Sequence, residues 1–263
     1  MNEKNINPIE NASTRKAAPA PEQYSKEMSK EYANVVEIDP VKQYSQFPEE
    51  LKLLGKLKGK KLLDIGCGSG GFTRMMAERG AEIFGYDPSL EQVEKAQEEE
   101  ERHPLGIKYI VSDRPSISPD IKFDLASSVM VLVHAEDKQK LQEIFQYAND
   151  SLKTTGRFVS IVLNPNFKRL GEAVYNRRFT REGNKNFADF LDSKGTSLLP
   201  EPLTSIHHSK DEYEEAAKNA GFKRVEWKTL SVDPRGKEKL GVEFWDKYEE
   251  DCPWIGLVAY KDE

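Results

Sequence analysis

The sequence predicts an α/β fold in which a seven-stranded, mostly parallel sheet carries helices on both faces, ends in an antiparallel strand and bears an inserted lid. Two observations lead there. Between residues 61 and 163, short apolar runs alternate with helical segments, the rhythm of a parallel sheet whose crossovers are helices. Later in the chain, two more strand-like runs flank a long loop and can pair antiparallel at one sheet edge. Right-handed crossovers would then place a ligand at the carboxyl ends of the parallel strands.

Residues 1–22 hold Asn, Ala, Ser, Pro and charges without periodicity and read as a disordered leader. From Tyr24 the pattern is helical, with Tyr24, Met28, Tyr32, Val35 and Val36 on one face, until Asp39-Pro40 interrupts it. Residues 48–58 make a second helix, begun by Pro48 and closed near Gly59. Strand one is Lys61–Ile65, and its helix, 71–79, stops at Gly80. Strand two, 82–86, leads to a charged helix over 89–102. Strands three and four cover 107–111 and Phe123–Val129, and a helix over 136–152 follows. Thr155-Gly156 then turns into strand five, 157–163.

After Pro165 the rhythm breaks. Residues 164–208 carry Phe167, Tyr175, Phe179, Phe187 and Phe190 among Arg, Lys, Asn and Gly, too long a stretch for a simple connection and read as a substrate lid. A helix at 210–220, a strand at 223–230, a loop at 231–253 and a last strand, Trp254–Tyr260, complete the chain. One domain over 23–263 is expected, made of N-terminal helices (23–58), a binding core (59–163), the lid (164–208) and a C-terminal part (209–263).

A formal net charge of -6 counts against nucleic acid as the main partner, since phosphate binding calls for a basic footprint. No apolar run approaches the roughly 18 residues of a membrane span. The first residues also lack the apolar core of a signal peptide. A membrane partner is therefore not expected, and the cytoplasm is the expected location. Two cysteines, Cys67 and Cys252, support neither a disulfide framework nor a zinc site. His103, His134, His207 and His208 show no metal-ligand spacing, so no metal is expected; the oligomeric state is not legible.

The chemistry concentrates in Lys61-Leu62-Leu63-Asp64-Ile65-Gly66-Cys67-Gly68-Ser69-Gly70-Gly71. A strand passing through a glycine hinge into a helix would bring bare backbone amides and a helix N-terminus against a ligand. Gly66, Gly68 and Gly71 satisfy GxGxxG, the dinucleotide fingerprint. Gly66, Gly68 and Gly70, with Asp64 ahead of them, satisfy DxGxGxG. Asp64 separates the two patterns. An ionised carboxylate repels a diphosphate but orients a cationic amine, directly or through water. Asp87, in Phe84-Gly85-Tyr86-Asp87-Pro88-Ser89, can accept from both ribose hydroxyls and reports a nucleoside without choosing between them.

With these motifs, residues 60–163 resemble the Rossmann-like core of the class I S-adenosylmethionine-dependent methyltransferases, and the likeness extends over roughly 24–262 through the antiparallel finish. The ending Gly241, Trp245, Tyr248, Pro253-Trp254-Ile255-Gly256-Leu257 is similar to small-molecule methyltransferases of the toxoflavin-synthesis type. The resemblance implies S-adenosyl-L-methionine as cofactor and a small-molecule acceptor, such as a secondary metabolite, methylated on N or O. It implies that Asp64, Gly66, Cys67, Gly68 and Gly70 lie along the methionine end, Asp87, Pro88 and Ser89 by the ribose, and Asp113 and Arg114 by the adenine. Ser128 and Val129 would supply contacts at the end of strand four, and Tyr32 would close from the N-terminal helix. No Asn/Asp-Pro-Pro-Tyr/Phe motif stands there, which lowers DNA adenine and protein glutamine as substrates.

Plainer readings stand beside each of these. Asp64 and Asp113 could serve turns, Asp87-Pro88 a helix start, Cys67 a small buried position, and Tyr24 and Tyr32 packing. His134 is the catalytic candidate, able to take a proton from an acceptor hydroxyl or amine, or else a satisfied histidine ahead of a helix. Arg177, Arg178 and Arg181 grip an acidic substrate or form a solvated basic face. The rival functions are an NAD-dependent oxidoreductase using the same glycine loop, a non-catalytic binding module, and a protein or RNA methyltransferase.

Overall fold

The computed structural model describes residue 35 and residues 39–262 except 119. The expected leader and the stretch carrying Tyr24 and Tyr32 lie outside the described residues. A helix starts at Asp39-Pro40. The Asp39 carboxylate accepts from the Val41 amide at 3.0 Å, and Pro40 takes the first helical position, where a missing N–H costs nothing. A π-helical turn, Lys42–Gln46, runs directly into α1, Phe47–Leu54. Pro48, which has no N–H to give, sits at the changeover between the two hydrogen-bonding patterns. Gly55, at φ 72, ends the helix short of the expected residue 58.

The parallel strands are β1 (Lys61–Ile65), β2 (Glu82–Asp87), β3 (Lys108–Val111), β4 (Phe123–Val129) and β5 (Leu152–Leu163). Helices α2 (Gly71–Ala77), α3 (Leu90–Arg102) and α4 (Lys138–Ser151) connect β1 to β2, β2 to β3 and β4 to β5, and no helix lies between β3 and β4 among the described residues. The strand β5 begins at Leu152, earlier than expected. Thr155-Gly156 is not a turn before the strand but part of a bulge within it, where pairing jumps from Phe123↔Leu152 to Leu125↔Arg157. After α5 (Lys210–Asn219) come β10 (Arg224–Thr229) and β11 (Trp254–Tyr260), so the sheet reads β10-β11-β5-β4-β1-β2-β3. The strand β11 is antiparallel to both of its neighbours, as expected.

Pleating sends alternate side chains to opposite faces. Leu62, Leu125 and Val159 pack with Leu54, Met76, Val93 and Ala96 under α1, α2 and α3. Their neighbours Leu63, Ala126 and Phe158 pack with Leu141, Phe145, Tyr213 and Phe222 under α4 and α5. The rings of Phe145, Phe158 and Phe222 meet with centroids 5.7 to 6.4 Å apart.

The insertion folds as a second, antiparallel sheet of β6 (Ala173–Val174), β7 (Arg177–Glu182), β8 (Lys185–Phe190) and β9 (Leu203–Ile206). The expected C-terminal loop contains α6 (Pro234–Leu240), capped by Asp233, and a short turn, Glu243–Trp245. Tyr175 and Phe179 of the insertion pack on Trp245, Tyr248 and Trp254 in a third apolar cluster. Arg177 is buried there, ion-paired with Asp39, its guanidinium 4.3 Å from the Phe190 ring centre and 5.1 Å from that of Trp254. Arg178 pairs with Asp189, and Arg181 bonds Asn186 and His207. These arginines brace the small sheet rather than present a free basic face.

Replacing Arg177 with Met would leave the Asp39 carboxylate buried without its cation and should cost about 3–5 kcal/mol of stability. Urea unfolding checks this, and a loss below about 1 kcal/mol would show that the pair does not tie the small sheet to the N-terminal helix.

Candidate functional site

The glycine loop leaves the carboxyl end of β1 and enters α2. Gly66, Gly68 and Gly70 all have positive φ, at 71°, 54° and 82°. A Cβ on Gly66 would come 2.4 Å from Val131 Cγ2, and one on Gly70 2.5 Å from Tyr109 Oη. Those two glycines are fixed by their neighbours. A Cβ on Gly68 would meet nothing nearer than Gln92 Oε1 at 3.9 Å, so Gly68 is the point where the loop faces open space.

The bare amides expected of this loop are largely engaged within the protein. Gly66 N and Cys67 N both donate to the Tyr86 carbonyl, at 2.8 and 2.9 Å. Gly70 N donates to Cys67 O at 3.0 Å, and Gly68 N to Asp87 Oδ2 at 3.0 Å. A carboxylate therefore takes a loop amide that a diphosphate would need. Asp87 Oδ1 accepts from Ser89 N at 2.9 Å. Burial pushes the Asp87 carboxyl up, against the opposing pull of those two amides. The residue is only half-buried, and each oxygen keeps a lone pair for a ligand hydroxyl. Pro88 and Ser89 begin α3, with Ser89 Oγ accepting from Gln92 N at 3.4 Å.

Asp64 is buried on the same sheet face as Leu62, and its Oδ2 accepts from Thr73 Oγ1 at 2.6 Å. Burial pushes its carboxyl up to about 7; the Thr73 hydrogen bond opposes this and the nearby Asp87 charge adds to it. Cys67 fills a tight space against Gly85, and its thiol is pushed up by burial and then by the charges of Asp64 and Asp87. It is a packing residue whose backbone belongs to the loop.

Beyond β3, Asp113 and Arg114 are exposed, and Ser112 Oγ accepts from Arg114 N at 3.1 Å. The Arg114 side chain lies 3.7 Å from the Glu143 carboxylate. At the end of β4, the Ser128 hydroxyl is buried and donates to Ser160 Oγ at 2.8 Å, so Ser128 offers no side chain to a ligand. Val129 is half-buried in the apolar clusters. Met130, which follows, has φ 63, a left-handed conformation that a side-chain-bearing residue rarely adopts and that recurs at functional sites.

His134 closes the short turn Leu132–His134, and burial lowers its imidazole to about 4. Part of the residue still reaches the surface. His208 is structural, its Nε2 lying 2.9 Å from the Ala135 carbonyl next to His134. Among the described residues no group of three or more His, Cys, Asp and Glu is placed to hold a metal ion. A groove of about 470 Å³ lies between α4 and α5 and shares no residue with the glycine loop.

Sequence reading missed Glu50. It is fully buried in α1, with Oε1 accepting from Ser127 Oγ at 2.9 Å and Oε2 without a partner among the described residues. Its carboxyl is pushed well above the usual range by burial, with the Asp64 charge adding to this. In Phe47-Pro48-Glu49-Glu50 it reads as solvated, but its spacing of one helical turn from Leu54 marks the inward face.

The site thus joins a half-buried carboxylate suited to vicinal hydroxyls, buried carboxylates beneath the loop, and an open approach at Gly68. Those features fit a nucleoside with a cationic tail better than a dinucleotide. Comparison with known proteins agrees. The family model described as methyltransferase domain matches residues 42–226. A ubiquinone biosynthesis O-methyltransferase of Coxiella burnetii is 29% identical over 168 residues, covering 58% of this chain and 69% of that protein. An S-adenosylmethionine-dependent methyltransferase of Mesorhizobium loti superposes with TM-score 0.57 at 21% identity, covering 81% of this chain and 96% of that one. Phosphoethanolamine N-methyltransferase 2 of Haemonchus contortus, solved with S-adenosyl-L-methionine, gives TM-score 0.54 at 18% identity, over 92% of this chain and 58% of that one. On the extent of the family match and the strand order that underlies it, the chain belongs to the methyltransferase-domain family and has the class I methyltransferase fold.

Proposed function

We propose that this enzyme transfers a methyl group from S-adenosyl-L-methionine to nitrogen or oxygen of a small-molecule acceptor. The observation that carries the reading is the acidic lining of the glycine loop, Asp64 beneath it and Asp87 beside it, with the loop's own amides largely engaged. The cofactor supplies a methyl group already activated on a sulfonium. The protein's work is then to bind, orient and exclude water. Asp87 accepts from the two ribose hydroxyls, and Gly68 lets the backbone approach without a side chain in the way. Asp64 draws the methionine amine, Asp113 takes the adenine amino group, and the backbone around Val129 and Met130 borders the reacting centre. Tyr32 lies outside the described residues. The small sheet of residues 173–206 shares an apolar cluster with Val129 and Met130 and so walls the acceptor side. Its bulkiest aromatics turn inward, so acceptor shape is set by the sheet's edges and loops.

The O-methyltransferase relatives support a small, apolar, hydroxyl-bearing acceptor, and the N-methyltransferase neighbour keeps nitrogen open. His134 faces that acceptor as a neutral imidazole. At about 4 it is too weakly basic to remove a phenolic or ammonium proton outright, so it orients the nucleophile by accepting its hydrogen bond.

Incubating the protein with methyl-labelled S-adenosylmethionine and metabolite fractions, followed by mass spectrometry, should yield a labelled small molecule and S-adenosylhomocysteine. Label appearing only in protein or RNA would overturn the acceptor class. Asp87→Ala should weaken S-adenosylhomocysteine binding on the order of 100-fold, the worth of two hydrogen bonds to a charged group. Unchanged affinity would remove the ribose contact. In the rate–pH profile no histidine inflection is expected between about pH 5 and pH 8, and one that vanished in His134→Gln would restore the general-base role. Because the native state holds a proton at His134 less tightly than the unfolded chain, this residue's contribution to stability should be lost as pH falls from 6.5 toward about 4.

A further inference from the structure

The inward face of the N-terminal helix is polar where a hydrophobic stripe would be ordinary. Ser45, Gln46, Glu49 and Glu50 are all buried. Ser45 and Glu49 have partners: Tyr248 Oη donates to Ser45 Oγ, Ser45 Oγ donates to Ser231 O, and Ser231 Oγ donates to Glu49. Gln46 Oε1 and Glu50 Oε2, one helical turn apart on the same face, have none among the described residues. Gln46 Oε1 only accepts, and Glu50 Oε2 accepts once its carboxyl is ionised. Ionised, that buried face calls for a donor that carries positive charge.

Their position says which donor. Glu50 Oε1 is bonded to Ser127, and Ser127 pairs in register with Asp64 across adjacent parallel strands, so the two project from the same face of the sheet. Glu50 thus stands next to Asp64, directly behind the glycine loop. The π-helical turn at Lys42–Gln46 shifts the helical register just before this face, and such turns recur at binding sites.

We infer that Gln46 and Glu50, together with Asp64, form a buried acidic seat for the α-ammonium group of the cofactor's methionine moiety. The inference rests on the cofactor assigned above and adds residues outside the glycine loop. In it, Glu50 and Asp64 share the cation and Gln46 Oε1 accepts a second ammonium proton. The seat reads the amino-acid end of the cofactor and is indifferent to the nucleoside end, which Asp87 holds. It also couples binding to protons. The ionisable groups facing Asp64 are Glu50, Asp87, Cys67 and Tyr109, and of these the thiol and phenol stay neutral. With carboxyls raised by burial, an incoming ammonium should displace protons from the carboxylate pair, and affinity should fall as pH drops below about 7.

Calorimetry with two ligands tests this: S-adenosylhomocysteine, which has the ammonium, and 5′-methylthioadenosine, which lacks the amino-acid end. Glu50→Gln should bind S-adenosylhomocysteine at least about 10-fold more weakly than wild type while binding 5′-methylthioadenosine equally well. Gln46→Leu should show the same selectivity to a smaller degree. Titration of the wild type at pH 6 in buffers of different ionisation enthalpy should show proton release with S-adenosylhomocysteine and none with 5′-methylthioadenosine. Equal loss for both ligands in Glu50→Gln would make Glu50 a purely structural residue, and no loss for either would remove it from the site. Wild-type protein that bound neither ligand would overturn the cofactor assignment and this inference with it. Wild type binding both, with a variant blind to the difference, would overturn this inference alone.

Discussion

Carboxyl groups held in the protein interior, with no cation beside them among the described residues, are the constraint around which this site is organised. Asp64 and Glu50 are buried on neighbouring elements; burial raises both carboxyls, and the Asp64 charge adds to the rise at Glu50. Only hydroxyl groups answer them, from Thr73 and Ser127. A folded protein tolerates such a pair when it is protonated, hydrogen-bonded, or completed by a ligand of opposite charge. Asp87 extends the same sign to the mouth of the loop and takes the Gly68 amide as its own. The glycines follow from this arrangement. Gly66 and Gly70 let the loop turn tightly against Val131 and Tyr109, and Gly68 leaves the approach open.

The two sheets divide the remaining work. The large sheet sets the strand ends in one row, with helices covering both faces through the alternation of Leu62 and Leu63 or Phe158 and Val159. The small sheet is a braced appendage. Arg177 reaches from β7 to Asp39 at the start of the N-terminal helix, and Tyr248 reaches Ser45 on the same helix. The helix bearing Gln46 and Glu50 is therefore tied at once to the inserted sheet, to the C-terminal aromatic cluster and to β4 through Ser127. Positioning of the acidic face depends on contacts made far away in sequence.

Where local pattern and tertiary role coincide, the sequence was readable. Alternating apolar runs yielded the strands, and the placement of Asp64, the glycines and Asp87 was legible because their spacing is dictated by one strand–loop–helix join. Failures came where long-range partners decide. Thr155-Gly156 looked like a turn, but β4 pairs on both sides of it and absorbs it as a bulge. The lid's aromatics and arginines looked available, yet Trp245, Tyr248, Trp254 and Asp39, distant in the chain, claim several of them. Glu50 was invisible because a glutamate beside a glutamate near a helix start is ordinarily solvated, and only packing against Ser127 reverses that.

The central claim is that acidic surroundings make this glycine loop a receptor for a nucleoside with a cationic tail and not for a diphosphate. Parallel calorimetric titrations of the full chain with S-adenosylhomocysteine and with NADH test it most directly. The account predicts saturable binding of S-adenosylhomocysteine and no detectable heat from NADH. Binding of NADH with no response to S-adenosylhomocysteine would contradict it.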